Sequence, residues 1–161
     1  NDLGMEGAAG KMIYGQISEA IFILAIPFLY YRLGVKNILI IGIAAWALRF
    51  FFFANGDLEA YYWMIISGIL LHGICYDFFF VTGYMYTENK AGDKIKNAAQ
   101  GLFTVATYGI GMTIGSWFSG IVTDNNTIEG IKNWGDIWMV PAYISGAVLL
   151  FLVVFFKEKN K

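Results

Sequence analysis

Long apolar blocks, each followed by a short polar cluster, constrain this chain of 161 residues more than any other feature. The blocks match the roughly 20 residues that an α-helix needs to cross a bilayer. Hydrophobic residues make up 58% of the sequence and charged residues only 14%, against about 45–50% and about 25% in an average soluble domain. This distribution predicts an all-α, polytopic membrane helical bundle.

Five helices are predicted from these blocks, and together they form one transmembrane domain over residues 1–161. Even the shortest has about the length of a single span. The third is long enough to tilt or to extend beyond the membrane. The predicted helices lie at about residues 11–31, 37–54, 58–87, 97–123 and 136–156.

The loops alternate between basic and acidic along the chain. Basic residues mark the cytoplasmic side of a membrane protein, so the pattern predicts an N-terminus outside and a C-terminus inside. The basic clusters are Arg32 and Lys36, then Lys90, Lys94 and Lys96, then Lys157, Lys159 and Lys161. The acidic clusters are Asp57 and Glu59, then Asp124, Glu129 and Asp136. An odd number of spans that starts outside suits the last five helices of a larger bundle.

Composition argues against several classes of function. A net charge of −1 gives no basic surface for nucleic acid. His72 and Cys75 are the only histidine and the only cysteine, so the sequence predicts no metal site and no cofactor. The sequence has neither a phosphate-binding glycine loop nor a serine–histidine–acid arrangement. The chain is therefore predicted not to be an enzyme.

Two carboxylates, Glu19 and Asp77, stand near the middle of predicted spans. An acidic side chain at the bilayer centre costs about 2.5–3.5 kcal/mol on insertion scales, so it normally faces a protein interior or a water-filled cavity. Gln16 precedes Glu19 by three residues and shares its helix face. The amide of Gln16 both donates and accepts hydrogen bonds, whereas ionised Glu19 only accepts them. Together, Gln16 and Glu19 predict a binding site for sugar hydroxyls or for the edge of a base.

The third predicted helix carries the densest cluster of polar and aromatic side chains, from His72 to Phe80. His72 and Tyr76 are four residues apart and share a face, whereas Asp77 is rotated from Tyr76 by about 100°. We interpret His72 as a hydrogen-bonded interior histidine. We interpret Arg49, in the second predicted helix, as a structural residue that extends toward the membrane surface or pairs with a carboxylate.

Three stretches make the chain resemble the nucleoside:proton symporter family of the major facilitator superfamily. They are Gly15-Gln-Ile-Ser-Glu-Ala with Pro27-Phe, then Arg32-Leu-Gly-Val-Lys36, then His72 to Gly83 with Ala98-Ala-Gln-Gly101. The second stretch departs from the superfamily's loop signature, because Tyr31 replaces the usual Asp and Val35 the usual basic residue. The resemblance covers nearly the whole chain.

The resemblance implies that these are the eighth to twelfth helices of a twelve-helix transporter in a bacterial cytoplasmic membrane, whose N-terminal half lies outside this chain. It implies that nucleoside and proton are carried together by alternating access. By likeness, the substrate-binding residues are Gln16, Glu19, Tyr76 and Asp77. Either Asp77 or Glu19 is then the proton carrier, and the sequence leaves both open.

Two other functions remain open from the residues alone. A sugar or oligosaccharide permease of the same superfamily would use the same side chains, because Gln, Glu and Asp bind hydroxyl groups equally well. A non-transporting membrane scaffold or receptor subunit would need Glu19 and Asp77 only for assembly. Competition of uptake by nucleosides or sugars separates the first from a nucleoside carrier, and neutralising the carboxylates separates the second.

Overall fold

Four long helices make up most of the chain in this structure, a computed structural model that describes residues 7–156. Each is long and apolar enough to cross a membrane. In chain order they are α1 (Ala8–Asn55), α2 (Tyr62–Ala91), α3 (Lys96–Asn125) and α4 (Trp134–Phe155). A short β-hairpin of β1 (Thr127–Ile128) and β2 (Ile131–Lys132) joins α3 to α4. The predicted basic tail of Lys157, Lys159 and Lys161 lies outside the described residues.

Helix α1 is a helical hairpin that contains the first two predicted spans. A straight helix of 48 residues would be roughly 70 Å long, more than twice the hydrocarbon core of about 30 Å. Glu19 and Arg49 nevertheless both lie within 4 Å of His72, so the chain must reverse between them. The reversal is at Gly34, whose φ of 76° and ψ of 162° interrupt the helix.

This reversal differs from the predicted boundary, which placed a loop between residues 31 and 37. A single glycine suffices because its backbone enters a region that is essentially closed to residues with a side chain. The helix on each side keeps its hydrogen bonds almost to the bend. We call residues 8–33 the N-terminal arm of α1 and residues 35–55 its C-terminal arm.

Helix α2 runs parallel to the N-terminal arm. Near one end, Ser18 Oγ donates a hydrogen bond of 2.6 Å to the Leu70 carbonyl. Toward the other end, Asn89 Nδ2 donates a hydrogen bond of 3.1 Å to the Tyr30 hydroxyl. Residue numbers rise together along both helices, which gives the parallel direction.

The same helix runs antiparallel to the C-terminal arm. Trp46 Nε1 donates a hydrogen bond of 2.9 Å to the Cys75 carbonyl, and Gly42 packs directly against Phe78. The hydrophobic core lies where the two arms and α2 meet, and its buried members are Ile26, Ile38 and Phe78. Burying α2 against both arms fixes its rotation, which decides the surroundings of every polar side chain on it.

Helix α2 begins at Tyr62, later than the predicted start at residue 58, because Asp57 organises a turn before it. The Asp57 carboxylate accepts hydrogen bonds of 2.8 Å from the backbone amides of Glu59 and Tyr61. A short acidic side chain competes in this way with helix formation by satisfying nearby amides itself. The Asp57 bonds therefore hold a turn between α1 and α2, and helix α2 begins only after it.

Helix α4 packs antiparallel to the C-terminal arm of α1. Trp138 stacks on Phe50 with ring centroids 5.9 Å apart and contacts Phe53 at 5.3 Å. At the opposite end, Lys36 Nζ donates a hydrogen bond of 3.0 Å to the carbonyl of Val153. The predicted residues 136–156 and the observed helix agree to within two residues at each end.

Helix α3 contacts α2 mainly through its first half. Gln100 Nε2 donates a hydrogen bond of 3.0 Å to Glu88, and the hydroxyls of Tyr84 and Thr104 are 2.7 Å apart. No residue of α3 is buried within the described part of the chain. An apolar helix of this length with so little covered surface has most of its faces directed away from the other described helices.

Candidate substrate site

Two glycines bring the N-terminal arm of α1 and helix α2 into direct contact near the predicted site. A Cβ atom placed on Gly73 would lie 2.5 Å from the Glu19 amide nitrogen, and one on Gly15 would lie 3.3 Å from the Cβ of His72. Contacts below 3 Å are not tolerated by a real side chain, so Gly73 permits an approach that alanine does not. The close contact sets Glu19 beside the polar stretch of α2.

His72 lies between a carboxylate and a guanidinium. Its Nδ1 is 2.8 Å from Arg49 Nη1, and its Nε2 is 3.7 Å from Glu19 Oε2. Arginine has only donors, so Nδ1 of His72 is the acceptor and the ring proton of the neutral imidazole is on Nε2. That proton faces Glu19. About a third of each side chain is exposed, 34% for His72 and 33% for Glu19.

A cavity of about 340 Å³ opens beside this triad. Gln16, Arg49 and His72 are the polar side chains of its wall. The rest of the wall is apolar and comes from both arms of α1, from α2 and from α4: Met12, Gly15, Phe53, Ile65, Ile69 and Trp138. A few polar groups in an otherwise apolar wall are typical of small-molecule sites.

Asp77 is fully enclosed by the bundle, with 0% of its surface exposed. Neither of its carboxylate oxygens has a hydrogen-bond partner among the described residues. The Thr82 hydroxyl on the same helix is likewise buried and without a partner there. Gly73, one turn before Asp77 on the same helix, packs against the backbone of Glu19, so the two carboxylates lie on facing stretches of α1 and α2. A buried carboxyl group without hydrogen bonds is costly when ionised, which is the property of a site that changes protonation.

Two π-helical turns lie next to each other at the contact between α2 and α3. One spans Asp77–Val81 and the other Val105–Gly111. Turns of this kind are frequent at functional sites. The hydroxyls of Tyr76 and Tyr108 are hydrogen-bonded across this contact.

The aromatic rings around that hydroxyl pair form a continuous cluster. Phe80 lies 4.8 Å from Tyr76 and 5.2 Å from Tyr108 between ring centroids. Tyr76 is also 5.8 Å from the His72 ring, as expected for residues that share a helix face. The cluster therefore extends the polar triad toward α3 and provides flat surfaces on which a planar ligand can stack.

The structure brings three of the four predicted site residues around His72. Gln16 lines the adjacent cavity, Glu19 faces Nε2, and Tyr76 lies beside the imidazole ring. Asp77 directly follows Tyr76 in the chain but is fully buried, whereas Glu19 is one-third exposed. The binding role of all four remains a prediction.

Sequence reasoning missed Tyr108 and the partner of Arg49. The predicted carboxylate partner of Arg49 is wrong, because among the described residues its guanidinium hydrogen-bonds to His72. The structural role of Arg49 stays a prediction. The interior-histidine interpretation of His72 agrees with that bond. The polar residues near Tyr108 in the sequence, Thr104 and Thr107, do not single it out, so only the contact with Tyr76 identifies it.

Fold and site together define an all-α, multi-pass integral membrane protein whose polar groups gather within its spanning helices, the class to which solute carriers belong. A sequence model of the family described as "Nucleoside H+ symporter" matches residues 2–161, and the chain belongs to that family. The predicted resemblance and the predicted fold class, part of a major facilitator transporter, are thereby confirmed.

Similar proteins carry transporter names. The chain is 37% identical to a xanthosine permease of Escherichia coli (strain K12), over 88% of this chain and 33% of the permease. It is 36% identical to the nucleoside permease NupG of the same organism, over 92% of this chain and 36% of NupG. A crystal structure of the nucleoside transporter NupG superposes with a TM-score of 0.87 at 36% identity, over 94% of this chain and 38% of that one. The chain thus spans between 33% and 38% of the length of these relatives.

Proposed function

We propose that this chain forms the C-terminal part of a transporter that carries nucleosides together with protons across a bacterial cytoplasmic membrane. Alternating access, in which two helical halves move about a central site, is the proposed mechanism. The family match and the permease names of its relatives support the cargo. The loop charges support an orientation with the C-terminus in the cytoplasm.

The observation that carries the proposal is the contrast between the two carboxyl groups. Glu19 is one-third exposed and faces the Nε2 of His72, whereas Asp77 is fully buried without a partner among the described residues. A scaffold or receptor subunit gives no reason to keep an unpaired carboxyl group inside an apolar bundle, where it lowers stability.

From this contrast we infer different roles for the two residues. Glu19 accepts hydrogen bonds from ligand hydroxyl or N–H groups, with Gln16 one turn away as a second partner. Tyr76 contributes a ring for packing on the ligand. Asp77 takes up the proton, because a neutral carboxyl group is far less costly to bury than an ionised one.

Proton uptake and ligand binding are coupled in this arrangement through electrostatics. Two nearby carboxylates repel one another when both are ionised. Protonation of Asp77 removes that repulsion and leaves Glu19 as the single negative charge that faces the ligand. Release of the proton on the other side of the membrane restores the repulsion and weakens ligand binding there. Coupling of this kind also requires that the bundle changes its exposed side only when proton and ligand are both bound or both absent.

The test is uptake of labelled uridine by the full-length transporter in proteoliposomes with an imposed pH gradient. We expect gradient-driven accumulation by the wild type, competed by other nucleosides and not by sugars. Asp77→Asn is expected to abolish accumulation but to keep exchange of uridine across the membrane, which needs no net proton movement. Glu19→Gln is expected to reduce both, because it weakens binding.

The variant Asp124→Asn serves as the control, since Asp124 is an exposed carboxylate outside the site. Competition by sugars instead of nucleosides would replace the proposed cargo with that of a sugar permease. Absence of any transport, or transport that is unchanged in both site variants at equal protein level, would overturn the proposal.

A further inference from the structure

Arg49 and His72 hydrogen-bond to each other in the wall of the cavity, and the proposed function gives neither of them a role in binding or proton transfer. Arg49 lies on the C-terminal arm of α1, which otherwise packs against α2 and α4. Its guanidinium also lies over the ring of Phe53, with the Cζ atom 5.3 Å from the ring centroid. A charged side chain inside a spanning segment is costly unless it serves a partner. The hydrogen bond of 2.8 Å to Nδ1 of His72 identifies that partner.

We propose that Arg49 is a positioning residue that holds His72 as a neutral Nε2–H donor aimed at Glu19. The proposal rests on the proposed function only for its effect on ligand binding. The tautomer itself follows from the contacts within this chain. Arg49 has no acceptor atom, so a proton on Nδ1 of His72 would break the hydrogen bond and set two donors against each other.

The consequence for Glu19 is a preferred orientation. The distance of 3.7 Å between His72 Nε2 and Glu19 Oε2 is longer than a hydrogen bond, so the N–H of His72 attracts the carboxylate electrostatically. The carboxylate oxygens keep lone pairs to which a ligand hydroxyl or N–H can donate. Orientation of one residue by a partner behind it is a general device for preorganising a site.

A second consequence is that His72 does not carry the transported proton. Protonation of Nδ1 costs the Arg49 bond and places two positive charges next to each other. Groups that face His72 from the neighbouring elements are Arg49 from the C-terminal arm, Glu19 from the N-terminal arm, and Tyr76 from α2 itself. Only Glu19 favours an imidazolium, and its distance is the longer of the two polar contacts.

The first measurement is solid-state NMR of the full-length transporter in lipid, with ¹⁵N-labelled histidine. Signals of His72 are identified as those that disappear in His72→Gln. We expect one neutral species with the proton on Nε2 in the wild type and in Arg49→Lys, which keeps a donor. In Arg49→Met we expect the other tautomer or the imidazolium to appear. A wild-type proton on Nδ1, or an unchanged spectrum in Arg49→Met, would overturn the proposal.

The second measurement is the dissociation constant for uridine, determined by calorimetry on the same proteins. We expect about tenfold weaker binding for Arg49→Met and for His72→Phe, since each removes the donor that orients a charged acceptor. The double variant should bind like His72→Phe alone, because Arg49 acts through His72. Additive losses would overturn the positioning role. Arg32→Met, which removes an exposed arginine elsewhere, should leave the His72 spectrum unchanged.

The two measurements distinguish the positioning role of Arg49 from the proposed function. If the wild type does not bind uridine at all, the proposed function fails, while the NMR measurement still decides the protonation state of His72. If uridine binds but the tautomer does not depend on residue 49, the proposed function stands and the positioning role is overturned. Should Arg49→Met fail to fold, the wild-type tautomer and the retained tautomer in Arg49→Lys still decide the outcome.

Discussion

Gly73 of α2 lies against the backbone of Glu19 in α1, so closely that a Cβ atom on Gly73 would be 2.5 Å from the Glu19 amide nitrogen. The next turn of α2 carries Asp77, so this contact sets the separation between the two carboxyl groups of the site. Helices in membranes approach this closely only where small residues meet. The site therefore depends on a residue that has no chemistry of its own.

The variant Gly73→Ala is expected to push the N-terminal arm of α1 away from α2. Overpacking of this kind costs about 1–3 kcal/mol, and here it also moves Glu19. We expect a lower free energy of unfolding in mixed micelles together with weaker uridine binding. Gly146→Ala in α4 is the control, because nothing described lies within 4 Å of a Cβ atom there. Equal stability of the two variants would contradict the close contact.

Gly34→Ala tests the reversal in α1. The φ of 76° and ψ of 162° at Gly34 lie in a region where a side chain costs on the order of 1–3 kcal/mol. We expect that loss in the free energy of unfolding and a lower yield of folded protein. Gly10→Ala serves as the control, since Gly10 lies within the N-terminal arm with open space around it. A Gly34→Ala protein as stable as wild type would show that the bend is made elsewhere.

Asp77→Val is expected to stabilise the protein while abolishing gradient-driven uptake. It replaces a buried carboxyl group that has no partner among the described residues by an apolar side chain of similar size. Removing the desolvation cost of such a group is worth about 1–3 kcal/mol. The measurement pairs unfolding in mixed micelles with uridine uptake.

The same change at an exposed carboxylate, Asp124→Val, should alter the free energy of unfolding by about 0.5 kcal/mol or less. Destabilisation by Asp77→Val would instead mean that the Asp77 carboxyl group has a favourable partner in the complete transporter. That result would contradict its role as an unpaired proton site.

Tyr76→Phe and Tyr108→Phe test the hydroxyl pair that joins α2 to α3. Each removes one partner of the same hydrogen bond, which is worth about 1 kcal/mol. We expect equal losses in the free energy of unfolding for the two single variants and no further loss in the double variant. Tyr143→Phe, at an exposed tyrosine, should have no effect. Additive losses would show that the hydroxyls have separate partners.

The site residues could be predicted only in part from the sequence. Glu19 and Asp77 are conspicuous because a charge inside an apolar block violates the pattern around it, and Gln16 follows from its spacing to Glu19. Tyr108 and the Arg49 bond to His72 could not be predicted. They depend on pairs of residues that are 32 and 23 positions apart in the chain, and no local pattern records which helix faces which.

The sequence by itself determined that this chain crosses a membrane as helices, and which residues place charge within the spans. Both follow from the free-energy cost of placing polar groups in the hydrocarbon core. This cost is local in the chain, because each stretch of about 20 residues spans the core separately. Only the tertiary structure decided that the first two spans reverse at the single residue Gly34, and that Asp77 is enclosed while Glu19 stays one-third exposed. Two carboxylates that lie well inside apolar blocks of the sequence differ in exposure only through what packs against them. Here the rotation of α2 between the two arms of α1 buries Asp77.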